Sequence, residues 1–161
     1  MHWEKLYSMQ KKLDDYILEN HGLIGGNLFD KKLLAFFVEL GELANETRCF
    51  KYWSKKKPSE KETILAEYVD GIHFLLSLGL EKGLRFYGTE EKVAEKDVTR
   101  QFNTVFKAAV TFQQNPNEQS YVYLFQHYIH LGELLGFMLQ EIYEAYLKKN
   151  EINYERQDTG Y

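Results

Sequence analysis

Apolar and polar residues recur along this chain at helical spacing, and no stretch shows the two-residue alternation of a half-buried strand bounded by hairpin turns. The pattern predicts helices over 3–20, 30–48, 60–82, 95–114 and 118–148. The breaks between them have local chemical causes. Gly22, Gly25, Gly26 and Asn27 interrupt the first connection, and Asp30 stands where it can cap the second helix. The stretch from Lys55 to Glu62 closes that helix, with Ser59 as the expected cap of the third. Gly79, Gly83 and Gly88 weaken the end of the third helix, and Gln113-Gln-Asn-Pro-Asn-Glu-Gln119 separates the last two. Beyond residue 148 the pattern lapses into a polar segment that composition alone reads as a frayed tail. The fold class is therefore all-α, a helical bundle.

Four carboxylates depart from this pattern. Glu39 and Glu42 lie among Leu33, Leu34, Ala35, Phe36, Phe37, Val38, Leu40, Leu43 and Ala44, an apolar surround too wide for a simple amphipathic stripe. Glu67 and Asp70 lie in the equally apolar third helix. Each pair is spaced i, i+3 and points one way from its helix, and the connection is short enough for antiparallel packing, so both pairs can face one cleft. Unpaired buried carboxylates cost several kcal/mol apiece (roughly), so four converging ones protonate, repel or take up cations. All-oxygen donors of this type suit Mg²⁺, with Mn²⁺ as a substitute. The bland alternative is a solvated, salt-bridged helix face, because a single Glu-x-x-Glu pair is weak as a signal. A di-iron carboxylate bundle is a further alternative suggested by Asp70-x-x-His73, but that class needs Glu-x-x-His on two helices and neither Glu39 nor Glu42 has a histidine at i+3. Glu46, one turn beyond Glu42, is open to an outer role at the site or to a salt bridge with Arg48 or Lys51. Leu40-Gly-Glu-Leu43 and Leu131-Gly-Glu-Leu134 echo each other, but four residues without a fixed period read as coincidence, and Glu133 is left out of the site.

Composition narrows the classes. A chain of 161 residues fits one domain, or two helical sub-bundles, and its 44% hydrophobic content with 12 Tyr and 11 Phe excludes disorder. A formal charge of -4 argues against a mainly electrostatic binder of nucleic-acid polymers. No apolar run is read as a membrane span, and the start of the sequence lacks the apolar core of a signal peptide. The lone Cys49 makes no internal disulfide, which fits a cytoplasmic location, and is expected to be a small core residue. Lys51, Trp53 and Lys55 follow the first acidic pair and offer cations for phosphates and an aromatic face for a base; a core Trp with solvated lysines is the alternative.

Leu6-YSMQKKLDDYI, Glu39-LGELANETRCFKYW, Glu67-YVDGIHFLLSLGL and the closing Lys149-N-x-x-N-x-x-R-Q-x-x-G-Y together resemble the all-α dimeric dUTPases, relatives of the MazG-like nucleotide pyrophosphatases, in the form found in Gram-positive bacteria and their phages. The resemblance runs nearly the full length and implies a single all-α domain over 1–161, dimeric, with 149–161 as a segment that closes over substrate. It implies that Glu39, Glu42, Glu67 and Asp70 hold Mg²⁺ on the triphosphate, that a metal-activated water attacks with a glutamate as base, and that dUTP, and also dUDP, give dUMP. It further places Gln10, Trp53 and His73 on the nucleoside side, Lys51, Lys55, Lys149, Arg156 and Gln157 on the phosphate side or closing segment, and Asn153 against substrate; Asp14 has no assigned role. Two other functions stay open on the residues themselves: a related pyrophosphatase acting on dCTP or a damaged nucleotide, and a helical interaction protein whose acidic face binds a regulatory protein partner.

Overall fold

The computed structural model describes residues 1–23 and 26–161, so the break predicted at Gly25 lies outside the described residues. Those residues form α1 (Trp3–Asn20), α2 (Phe29–Thr47), α3 (Lys61–Lys82), α4 (Val98–Gln114), α5 (Glu118–Leu134) and α6 (Leu139–Asp158). The chain buries its apolar positions at helical spacing: Trp3, Leu6, Tyr7 and Leu13 on α1, and Phe29, Leu33, Phe36, Leu40 and Leu43 on α2. Helix α3 is buried on most sides, through Tyr68, Val69, Ile72, His73, Leu75, Leu76 and Leu78, and packs against α1, α2, α5 and α6. Helix α4 pairs with α5 and touches α2. By length and composition α3 is apolar enough to cross a membrane, a correction to the expectation that no run reaches that length. Its position at the centre of the bundle accounts for the apolarity.

Two reciprocal contacts lock α3 to α5. The rings of Tyr68 and Tyr128 stack at 4.6 Å, the Tyr68 hydroxyl donates to the Tyr128 carbonyl at 2.9 Å, and the Tyr128 hydroxyl donates to the Tyr68 carbonyl at 2.6 Å. Each hydroxyl end fits only because a glycine faces it. A Cβ on Gly71 would meet the Tyr128 oxygen at 2.0 Å, and one on Gly132 would meet Tyr68 at 2.5 Å. A Cβ on Gly41 would meet nothing within 4 Å. The two Leu-Gly-Glu-Leu segments therefore make different contacts.

The predicted long helix over 118–148 is two helices. Gly136 adopts φ +86°, Phe137 N–H returns to the Gly132 carbonyl at 2.9 Å, and the Phe137 ring buries against Tyr68, ending α5 at Leu134. Helix α6 then starts afresh, with Glu141 accepting from Met138 N–H at 2.8 Å, and runs to Asp158. The segment expected as a frayed tail is thus helical for most of its length. Two cap expectations also change. Asn27, rather than Asp30, accepts from Phe29 N–H at 3.0 Å at the start of α2, and Ser59 spends its hydroxyl on Glu46 rather than on the first turn of α3. Cys49 is exposed rather than in the core, because α2 has ended in the left-handed Arg48 just before it.

Candidate active site

Packing of α2 on α3 brings Glu39, Glu67 and Asp70 together, with one oxygen from each lying within 4.8 Å of the others. Like charges at that range raise one another's protonation energies, and so does the loss of water. Burial, then Asp70 and Glu42, push the Glu39 carboxyl from 4.5 up to about 8. Burial, with Asp70 and Glu42 adding repulsion, also raises Glu67, while burial raises Asp70 against the opposing hydrogen bond and charge of Lys149. Lys149 Nζ lies 2.9 Å from Oδ1 and 3.0 Å from Oδ2 of Asp70. Glu39 Oε2 is buried and has no hydrogen-bond partner among the described residues. An unsatisfied carboxylate oxygen beside two further carboxylates is the donor set a hard divalent cation requires, so the residues present fit Mg²⁺ or Mn²⁺. Glu42 stays exposed at the edge of this group and acts on Glu39 by charge and a hydrogen bond. Glu46 accepts from Ser59.

Cations flank the acids. Lys51 is half-buried and lines, with Arg48, Lys56 and Lys57, a concavity of about 340 Å³ beyond Glu46. Arg48 holds the loop around it in place by donating to the Lys56 carbonyl at 3.1 Å and Ser54 Oγ at 2.7 Å. Lys55 is exposed. Trp53 is 64% exposed, edge-on to Tyr52 and Phe50, which sets aside its reading as a bundle-core residue. On α6, Lys149, Asn153 and Arg156 follow the i, i+4, i+7 spacing of one helical face. Arg156 stacks on the Tyr161 ring at 5.1 Å and still lowers the Asp70 carboxyl by its charge. Gln157 faces away from the carboxylates, bonding His21 at 3.1 Å beside the Tyr16–Asp158 hydrogen bond.

The expected nucleoside-side residues Gln10 and His73 are both buried, and His73 Nδ1 lies 2.6 Å from Gln10 Oε1. Burial, then the charge of Lys149, lower His73 to about 3, so its ring is neutral near pH 7. Asn150 of the closing motif joins this network, as do Ser77, Tyr146 and Asp14, to which the resemblance assigns no role. Their signal was present as polar pairs at i, i+4 within apolar helices. A concavity of about 730 Å³, lined by Trp3, Phe86, Tyr87 and His130 among others, contains none of the four carboxylates.

No curated protein matches the chain. The family model described as dUTPase matches residues 2–161, which takes in all six helices and leaves only Met1 outside. The chain thus belongs to the dUTPase family, whose members hydrolyse dUTP.

Proposed function

We propose that this dUTP diphosphatase depends on Mg²⁺, accepts dUDP as well as dUTP, and works as a cytoplasmic homodimer. The observation that carries the metal requirement is the unpartnered, buried Glu39 Oε2 beside Glu67 and Asp70. Bound there, Mg²⁺ would neutralise phosphate charge and lower the pKa of water. The chain's own groups do the rest. Lys51, Lys55, Lys149 and Arg156 donate to phosphate oxygens, offsetting the repulsion an acidic pocket would exert on a polyphosphate. Water attacks the β-phosphorus, the bond from that phosphorus to the α,β-bridging oxygen breaks, and dUMP leaves with pyrophosphate, or with phosphate when dUDP is the substrate. The exposed position of Glu42 beside the cluster supports it as acceptor of the water's proton. Trp53 and His73 face the nucleoside, and the helical segment from Lys149 onward closes over it.

A substrate panel with Mg²⁺ tests the reading. The expected result is pyrophosphate from dUTP and phosphate from dUDP, with dCTP and UTP poor substrates. Pyrophosphate from dCTP but not dUTP would move the base specificity elsewhere.

A further inference from the structure

Three i, i+4 pairs of polar residues converge between α1, α3 and α6: Gln10 with Asp14, His73 with Ser77, and Tyr146 with Asn150. Their hydrogen bonds are ordered by what each group is able to do. Asp14 receives Ser77 Oγ on Oδ2 at 2.7 Å and Gln10 Nε2 on Oδ1 at 2.9 Å. Lys32 Nζ, held by Glu81 at 2.8 Å, stands 3.9 Å from the same Oδ2. Burial raises the Asp14 carboxyl, and the Ser77 and Gln10 hydrogen bonds and the Lys32 charge oppose that; as a carboxylate it only accepts, so Gln10 turns its NH₂ toward Asp14 and its carbonyl the other way. That carbonyl faces His73 Nδ1 at 2.6 Å and the Tyr146 hydroxyl at 3.0 Å. A carbonyl also only accepts, so the single proton of neutral His73 sits on Nδ1. The Tyr146 ring, stacked on the imidazole at 4.2 Å and 19°, fixes its plane. His73 Nε2 is then a bare lone pair, buried and, among the described residues, without a partner. Asn150 Nδ2, one turn beyond Tyr146, is a buried donor equally without a hydrogen-bond partner among those residues. Buried polar atoms of this kind are costly unless something that enters the site pairs with them.

We infer that Asp14 is a positioning residue: acting through Gln10, it fixes His73 as the Nδ1–H tautomer, so that Nε2 accepts a hydrogen bond from the nucleoside. This rests on the nucleotide-hydrolysing function proposed above and adds to it a direction of hydrogen bonding. A 2′-deoxyuridine offers two matching donors, its 3′-hydroxyl and the N3–H of uracil, and each has an acceptor oxygen at or beside it for Asn150. Asp14→Leu removes the acceptor and frees Gln10 to turn. Asp14→Asn keeps an oxygen for Gln10 and gives Ser77 a donor, so it preserves the order.

Nitrogen-15 NMR of histidine-labelled, nucleotide-free protein reads the tautomer directly. His73 is expected to show a protonated Nδ1 and a pyridine-type Nε2 in the natural protein and in Asp14→Asn, and mixed signals in Asp14→Leu. In kinetics, Asp14→Leu should raise KM for dUTP about tenfold, the size of one hydrogen bond to a buried group, with a smaller change in kcat, and Asp14→Asn should restore it. Analogues lacking the 3′-hydroxyl or carrying N3-methyl identify the donor: the one that pairs with Nε2 is the one whose loss erases the difference between the natural protein and Asp14→Leu. A proton on Nε2 in the natural protein, or Asp14→Leu with unchanged His73 signals and KM, overturns the inference. Failure to hydrolyse dUTP would instead overturn the function it rests on, and the tautomer would still decide Asp14's role.

Discussion

Glu39 carries the largest electrostatic strain among the acids. Its carboxyl is pushed from 4.5 to about 8 by burial first and by Asp70 and Glu42 next, and the same causes raise Glu67 and Asp70. A raised folded-state pKa means that the native protein holds the proton more tightly than the unfolded chain. The associated stability is complete below about 4.5 and is lost as pH rises through about 8. Metal-free protein should therefore melt at progressively lower temperature as pH climbs across that window, and Glu39→Gln should flatten the trend. Because cation binding needs the ionised carboxylates, Mg²⁺ affinity should increase over the same window. Thermal unfolding in a chelator, repeated with Mg²⁺, measures both; a melting temperature that rises with pH equally in both proteins would contradict this account of Glu39.

At the scale of the element, the acids are held in place by the fit of α3 against its neighbours. Gly71 follows Asp70 directly and accommodates the Tyr128 hydroxyl, so Gly71→Ala should cost about 3 kcal/mol through overpacking. Denaturant unfolding measures that cost, and a loss below about 0.5 kcal/mol would show that the tyrosine pair yields easily. Most helices were legible because a stripe such as Phe29, Leu33, Phe36, Leu40 and Leu43 has one interpretation. The division of 118–148 was not, since Gly136 and Phe137 end α5 through a positive φ and a burial against Tyr68 that depends on α3. The closing segment misled for a related reason. Lys149, Asn153 and Arg156 look like tail residues by composition, yet their i, i+4, i+7 spacing is helical, and Lys149 reaches Asp70. Of the candidate site, the convergence of Glu39, Glu67 and Asp70 was readable from two i, i+3 pairs on consecutive helices. The Asp14 network was only half legible: the i, i+4 pair Gln10 and Asp14 is local, but Ser77 lies 63 residues from Asp14 and Tyr146 136 residues from Gln10.

For the whole molecule, the exposed residues of α2 bear on assembly. Leu34 and Val38 are 64% and 51% exposed at i, i+4, and Phe37 stacks on Phe106 of α4 beside them. An exposed apolar pair of this kind, set between Lys31 and Glu42 on α2, supports the proposed homodimer. Light scattering should give twice the chain mass of 19.1 kDa, and the double change Leu34→Asp with Val38→Asp should return the single-chain mass. A natural protein that is monomeric at tens of micromolar would remove the dimer from the account. The central claim remains that Glu39, Glu67 and Asp70 hold the divalent ion on which dUTP hydrolysis depends. Its most direct test is pyrophosphate release from dUTP against Mg²⁺ concentration for the natural protein and for Glu39→Gln. The natural protein should be inactive in a chelator and saturate with Mg²⁺, and Glu39→Gln, folded, should lose at least about a hundredfold in rate at every concentration. Chelator-resistant hydrolysis, or a Glu39→Gln protein as fast as the natural one, would contradict it.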